Sequence, residues 1–317
     1  MDKIAIIIPT KNRSNFVNPL LKYYSSFTEP ITVYVSDSSD NFHKNKICQE
    51  VKKYNFVKYL HFPNSRSGLA IKKALDLVEE KYVLQSGDDD YFIPSSLNKI
   101  LSELKENSST SSVCGKSFLI SSNFREPGIN ILEEYFLREI EGETSSIRFI
   151  NLAKNYSPLI FALHRIEDFK LMYSYINEST HVEAEEYLPV IISSLLGEAK
   201  LIDELFLFRG VNFSRRTPVN LEDLMVDKIW VDNIDVFFSE ILNDFKLEKT
   251  LANKNYFFKA ESIYKTNQTQ NFLLKRAKWL IFQIDLFNKK RKYGLNKKFR
   301  KEYNLVSKIY NESNNRN

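Results

Sequence analysis

The run Ser86-Gly87-Asp88-Asp89-Asp90-Tyr91 sets three carboxylates side by side, directly after the apolar segment Tyr82-Val83-Leu84-Gln85. Like charges this close make one another's ionisation costly unless something offsets them. Mg²⁺ and Mn²⁺ favour carboxylate oxygens and often bridge protein to diphosphate, so Asp88, Asp89 and Asp90 read as candidate metal ligands. A solvated acidic turn is the plainer reading. A second pair, Glu185-Glu186, could supply a general base. Acidic residues also simply favour a helix N-terminus. Pro9-Thr10-Lys11-Asn12-Arg13 offers polar donors to a nucleobase or phosphate, or is an ordinary basic loop. Asp37-Ser38-Ser39-Asp40 could accept bonds from a base N–H or ribose hydroxyls, or cap the next helix. Arg209-Gly210-Val211-Asn212-Phe213-Ser214-Arg215-Arg216 could neutralise a diphosphate, or is a basic surface loop.

The elements that must position these groups alternate. The apolar run Ile4–Ile8 has the pattern of a strand buried on both faces, and Pro9 ends it. Residues 14–26 read as a helix, with Pro19 inside. Strands follow at Ile31–Val35, Val57–Phe62 and Tyr82–Gln85. Helices are expected at Ile47–Tyr54, from Gly68 through Val78, and at Ser95–Leu104. Such alternation implies a mainly parallel sheet with right-handed crossovers, whose ligands bind beyond the carboxyl ends of the strands. Those ends are Pro9–Arg13, Asp37–Asp40, Pro63–Gly68 and Asp88–Asp90, so all four should meet at one crevice. Further on, strands are expected at Val113–Ser121, Leu159–Leu163 and Ala199–Phe208. A helix at Glu185–Leu196 is expected to end on Gly197 as a C-terminal glycine cap. From Leu221 the pattern is helical.

In this order the segments Ile6-Ile7-Ile8-Pro9-Thr10-Lys11-Asn12-Arg13, Val35-Ser36-Asp37-Ser38-Ser39-Asp40, Asn64 to Gly68, Gly87-Asp88-Asp89-Asp90-Tyr91-Phe92-Ile93-Pro94 and Glu185-Glu186-Tyr187 carry a likeness. They resemble the family 2-like glycosyltransferases of the A-type (GT-A) fold, over roughly residues 3–217 and closest to a bacterial subset with a Gly-Asp-Asp-Asp signature. The resemblance implies an α/β GT-A domain, 1–217, with a helical, basic C-terminal region, 218–317. It implies nucleotide-sugar donors, UDP-sugars favoured, and Mn²⁺ or Mg²⁺. Pro9, Thr10 and Arg13 match the motif beside the nucleobase, and Asp37 the residue that reads the base. Gly68 and Lys73 match a Gly–basic pattern on the donor side. Asp88–Asp90 match the acidic motif that holds metal and diphosphate. Gly87 stands where the first Asp of that motif is usual, which leaves open which two carboxylates bind metal. Glu186, with Glu185 as runner-up, falls at the base of inverting members. Arg209 to Ser214 fall where a loop closes on the diphosphate, without the His some members carry there.

Composition narrows the rest. With 317 residues, 43% of them apolar, the chain can bury a sizeable core. Two distant cysteines, Cys48 and Cys114, argue against a disulfide framework and for a cytoplasmic setting. No apolar stretch is long enough to span a membrane, and the N-terminus lacks a signal-peptide pattern. Residues 271–317 hold 13 Lys and Arg against 3 Asp and Glu, while residues 1–270 hold 32 against 37. The basic character is therefore in the tail. Its amphipathic pattern fits an anionic membrane surface at the inner face, or an appendage packed on the body or on a second subunit of a homo-oligomer. An acidic crevice argues against nucleic acid. The implied acceptor is a glycan or lipid-linked glycan of bacterial surface polysaccharide synthesis. A nucleotidyltransferase would normally have glycine after the first strand, and residues 9–18 have none. A non-catalytic glycan-binding or scaffold domain would not need the carboxylates.

Overall fold

A computed structural model of the chain describes residues 2–122, 129–135, 137–210, 227–245, 247 and 304–309. The alternating pattern produces strands β1 (Ile4–Thr10), β2 (Ile31–Asp37), β3 (Val57–His61) and β4 (Tyr82–Gln85), separated by helices α1 (Ser14–Tyr24), α2 (Asn41–Val51) and α3 (Ser67–Leu75). Then follow β5 (Asp90–Phe92), α4 (Pro94–Glu106), β6 (Thr110–Ser122), β7 (Ile129–Tyr135), α5 (Ser145–Lys154), β8 (Leu163–Arg165), α6 (Ile166–Ser174), α7 (Ala184–Leu196), β9 (Glu198–Gly210) and α8 (Lys228–Phe245).

The described strands form one sheet in the order β3-β2-β1-β4-β8-β6-β9-β5, with β7 paired to β6. β1 lies parallel between β2 and β4, in registers that set Thr10 beside Asp37 and Ile7 beside Gln85. The chain leaves β1 towards β2 on one side and reaches β4 on the other. This is the switch point at which an open parallel sheet leaves a crevice. Residues Ile4 to Ile8 are all buried, as a strand covered on both faces requires. Each of the four isoleucines contributes roughly 1.5–3 kcal/mol by leaving water. Around this parallel part, β8 runs antiparallel to β4 and β6, and β5 antiparallel to β9.

Several expectations need correcting. The helix expected from Ile47 begins at Asn41, because the Asp40 carboxylate accepts from the Phe42 and His43 amides. Leu159–Leu163 is not one strand: Leu159–Phe161 forms a 3₁₀ turn after Pro158, and the strand starts at Leu163. Gly197 follows α7 in extended backbone, φ −177°, not in the left-handed form of a glycine cap. What demands glycine there is space, since a Cβ would lie 2.5 Å from the Ser109 carbonyl oxygen. The three-residue strand β5 has no sequence signal of its own and exists through pairing with β9.

Helix α8 packs on α7, with buried Trp230 edge-on to Tyr187 and His181. Residues 304–309 are helical and bury Val306 and Ile309. The expected boundary at 217 and the rest of the basic tail lie outside the described residues. Among the described residues no helix is long and apolar enough to cross a membrane.

Candidate active site

A cleft of about 540 Å³ opens at the carboxyl ends of β1, β2, β3 and β4. All four strand ends reach it. Pro9, Thr10, Lys11 and Arg13 come from the first, Ser36 and Ser38 from the second, Ser65 to Gly68 from the third, and Gln85 to Asp88 with Asp90 from the fourth. Glu185, Glu186 and Arg209 enter from α7 and β9.

The acidic triplet is buried and divided in direction. Asp88 Oδ1 lies 2.6 Å from Arg13 Nη1, and its Oδ2 accepts from the Thr10 hydroxyl at 2.9 Å. Asp89 does not line the cleft; it turns to Arg13, whose Nη2 donates to it at 2.9 Å. Burial works against the Arg13 charge, but the carboxylates outweigh it and hold the guanidinium above its usual pKa. Asp90 folds back onto the turn. Its Oδ2 accepts from the Gly87 amide and its Oδ1 from the Gly210 amide, both at 3.1 Å. A Cβ at Gly87 would lie 2.5 Å from Asp90 Oδ2, which explains glycine where a first Asp is usual. The triplet's mutual repulsion is thus offset within the chain, by Arg13, by backbone amides and by Arg209, whose Nε is 4.0 Å from Asp90.

Arg209 belongs to strand β9 rather than to a loop, paired in register with Asp90. Its guanidinium carbon stacks 4.6 Å from the Tyr135 ring centroid and 4.4 Å from that of Phe161. Despite burial, Tyr135, Asp90 and Glu186 raise its pKa further, so it is a fixed cation. Ser214 and the following arginines lie outside the described residues.

The two glutamates separate sharply. Glu185 is buried, with Oε1 accepting from Arg66 Nε and Oε2 from the Gly68 amide, each at 2.8 Å. Glu186, one residue on in the first turn of α7, is exposed at the cleft, with Oε1 3.5 Å from the Tyr156 hydroxyl. Below it, Tyr173 donates to Gln85 at the end of β4. Asp37 is fully buried beneath Ser36 and Ser38 and does not line the cleft. Its oxygens accept from the Ser39 amide at 2.9 Å and the Tyr59 hydroxyl at 2.6 Å. Lys73 is exposed at the margin, its ammonium 3.2 Å from Ser65 Oγ.

Sequence reasoning did not single out Arg66, Tyr135, Phe161, Tyr173 or Gln85. Arg66, two residues before Gly68 in the loop after the third strand, was the one with a local signal.

Among the described residues no three Asp, Glu, His or Cys side chains converge as a closed set for an ion. Asp88 and Asp90 nevertheless face the cleft as hard oxygen donors. One or two carboxylates suffice for Mg²⁺ or Mn²⁺ when a diphosphate completes the shell. The donor chemistry therefore fits either ion.

A mainly parallel sheet with an acidic turn at its switch point and a carboxylate on a facing helix is the arrangement of GT-A glycosyltransferases. The fold agrees with solved structures of TarS from S. aureus. A fragment, residues 1–349, with UDP-GlcNAc has a TM-score of 0.60 at 17% identity, over 99% of this chain and 92% of that one. The same fragment with UDP has a TM-score of 0.55 at 14% identity, over 99% and 91%. A longer TarS chain has a TM-score of 0.55 at 18% identity over 79% of this chain, and the match spans only 41% of its length. No curated protein matches the sequence. Residues 5–162 match the family model of glycosyl transferase family 2, and the chain belongs to that family.

Proposed function

We propose that the chain moves a sugar from a nucleotide-sugar donor, preferably UDP-linked, to a hydroxyl of a glycan or lipid-linked acceptor, with inversion at the anomeric carbon. The observation that carries this reading is one cleft shared by Asp88, Asp90, Arg13, Arg209 and an exposed Glu186. The UDP-GlcNAc and UDP held in the TarS structures support a UDP-sugar, and with it a hexosyl or N-acetylhexosaminyl group. Pro9, Thr10 and the serines above Asp37 are the residues assigned to the nucleoside. Gly68, on the donor side, lies at the cleft, while Lys73 reaches it through Ser65. Asp88 and Asp90 would hold Mn²⁺ or Mg²⁺, which when bound offsets charge on the leaving diphosphate as a Lewis acid.

The chain's own residues do the rest. Arg209, stacked and unable to lose its proton, binds diphosphate oxygens through a planar fork. Glu186 takes the acceptor hydroxyl's proton while that oxygen bonds the anomeric carbon and the bond to the diphosphate oxygen breaks. Titration calorimetry with a panel of UDP- and GDP-sugars, with and without Mn²⁺, tests this reading; absence of metal-dependent UDP or GDP binding would overturn it.

The acceptor fits bacterial surface polysaccharide synthesis, with residues 271–317 against an anionic membrane at its inner face. Co-sedimentation with anionic and neutral vesicles tests the membrane part, and equal recovery with both would count against it.

A further inference from the structure

Glu185 and Gly68 are 117 residues apart and fit each other closely. The Gly68 amide lies in the first turn of α3, where backbone N–H groups have no partner within the helix. The Glu185 carboxylate, from the first turn of α7, accepts it at 2.8 Å. A Cβ on Gly68 would lie 2.9 Å from Cβ, Cγ and Cδ of Glu185, so glycine makes room for the whole side chain. Arg66, the residue before α3, closes the other oxygen at 2.8 Å. Its Nη2 also donates to the carbonyls of Asn177 and Glu178, at 3.1 and 3.2 Å, in the segment leading to α7. Each Glu185 oxygen thus accepts from a fixed donor.

We infer that Glu185 is a positioning residue: it caps α3 from outside and fixes the first turn of α7, so that neighbouring Glu186 is presented to the acceptor hydroxyl. This rests on the reading of Glu186 as the base. The cap is charge-assisted, being an anion at a helix N-terminus and against a guanidinium. Glutamine has the same length, but its amide nitrogen cannot accept and its oxygen is uncharged, so one of Arg66 and Gly68 loses its partner and the other keeps only a weaker, neutral acceptor. A displacement of about 1 Å in a reacting group can cost on the order of a hundredfold in rate.

The experiment compares Glu185→Gln, Gly68→Ala and Glu186→Ala with the wild type. The readouts are kcat, donor KM and hydrogen exchange of the backbone amide at position 68. Glu185→Gln should lower kcat about ten- to hundredfold with donor KM within about twofold, Gly68→Ala should lower kcat likewise, and Glu186→Ala should remove transfer. The amide at position 68 should exchange about ten- to hundredfold faster in Glu185→Gln, as for a lost hydrogen bond to a charged group. Wild-type kcat in the first two variants, or unchanged exchange, overturns the inference. So does transfer surviving in Glu186→Ala but absent from Glu185→Gln, which would make Glu185 the base. A raised donor KM with unchanged kcat would make it a donor contact instead. If the wild type itself transfers nothing from any nucleotide sugar, the transferase reading fails, while the exchange measurement still decides the tie between α3 and α7.

Discussion

Arg13→Met tests whether the chain itself neutralises its acidic turn. Methionine keeps an apolar stem against the Phe16 ring, over which the guanidinium carbon now sits at 4.2 Å, and removes only the charge. Asp88 and Asp89 would then keep their burial, at 4% and 1% exposure, and lose the contacts of 2.6 and 2.9 Å. Removing one partner of a buried ion pair typically costs about 3–5 kcal/mol, because the stranded charge stays out of water. The Arg13 side chain is 27% exposed, so water reaches part of the pair. The expected loss is accordingly about 2–4 kcal/mol in the free energy of unfolding. Urea denaturation followed by circular dichroism, first without divalent ions, reads it. With excess Mn²⁺, the variant should recover about 1–2 kcal/mol more than the wild type gains, since a ligand stabilises the state it binds and the variant's carboxylates have no competing guanidinium. A loss below about 0.5 kcal/mol, well under the pair's expected worth, would show that Arg13 does not carry the offset. Equal stabilisation of both proteins by Mn²⁺ would show that it does not compete for these carboxylates.

Two further outcomes follow from single side chains. Glu186→Gln should bind UDP-sugar as the wild type does in calorimetry and lose transfer by about 10²–10⁴-fold; retained transfer would remove Glu186 as the base. His164 is fully buried, and burial pushes its pKa down from 6.5 to about 4, only partly opposed by its Nε2 bond to the Leu159 carbonyl. The unfolded chain therefore binds this proton first, and stability falls as pH drops below 6.5 until it levels near 4. That one group should cost about 2 kcal/mol between about pH 7.5 and 5. His164→Gln should flatten the slope by that amount in urea titrations at the two pH values, and an unchanged slope would refute the assignment.

What the sequence disclosed depended on how far apart the interacting residues lie. The runs Ile4–Ile8, Ile31–Val35 and Tyr82–Gln85 declare themselves because burial on both faces removes polar residues from the run itself. A mainly parallel sheet with a crevice beyond its strand ends then follows from alternation, whereas the strand order is read only from the fold. Asp40 was legible as a cap because it acts on amides two and three residues away. The charge pairing was not legible. Arg13 meets Asp89 across 76 residues and Arg66 meets Glu185 across 119, with no periodic signal joining either pair. Composition therefore suggested a triplet in need of an external cation, whereas the fold brings one from the end of the first strand. Gly87 likewise read as a departure from a motif. Only the folded turn shows that the Asp90 carboxylate takes up the space a side chain would need.

The same pairing bears on what the cleft can bind. Arg13 is held by Asp88 and Asp89, Arg66 by Glu185, and Arg209 lies 4.0 Å from Asp90. A bare nucleoside diphosphate approaching Arg209 also approaches Asp88 and Asp90, and part of what it gains from the cation it loses to the carboxylates. A bare divalent ion meets the converse difficulty, because the carboxylates already face arginines. A ligand that brings anion and cation together relieves both at once. Diphosphate and Mn²⁺ should therefore bind cooperatively, each raising the other's affinity by a factor of about 5–150, the usual range for coupled sites. Calorimetry of UDP alone, Mn²⁺ alone and UDP with saturating Mn²⁺ measures that factor from both directions, and the two must agree. A factor near one would mean that the arginines and carboxylates of this cleft act independently, and the account of it as a single self-neutralised unit would fail.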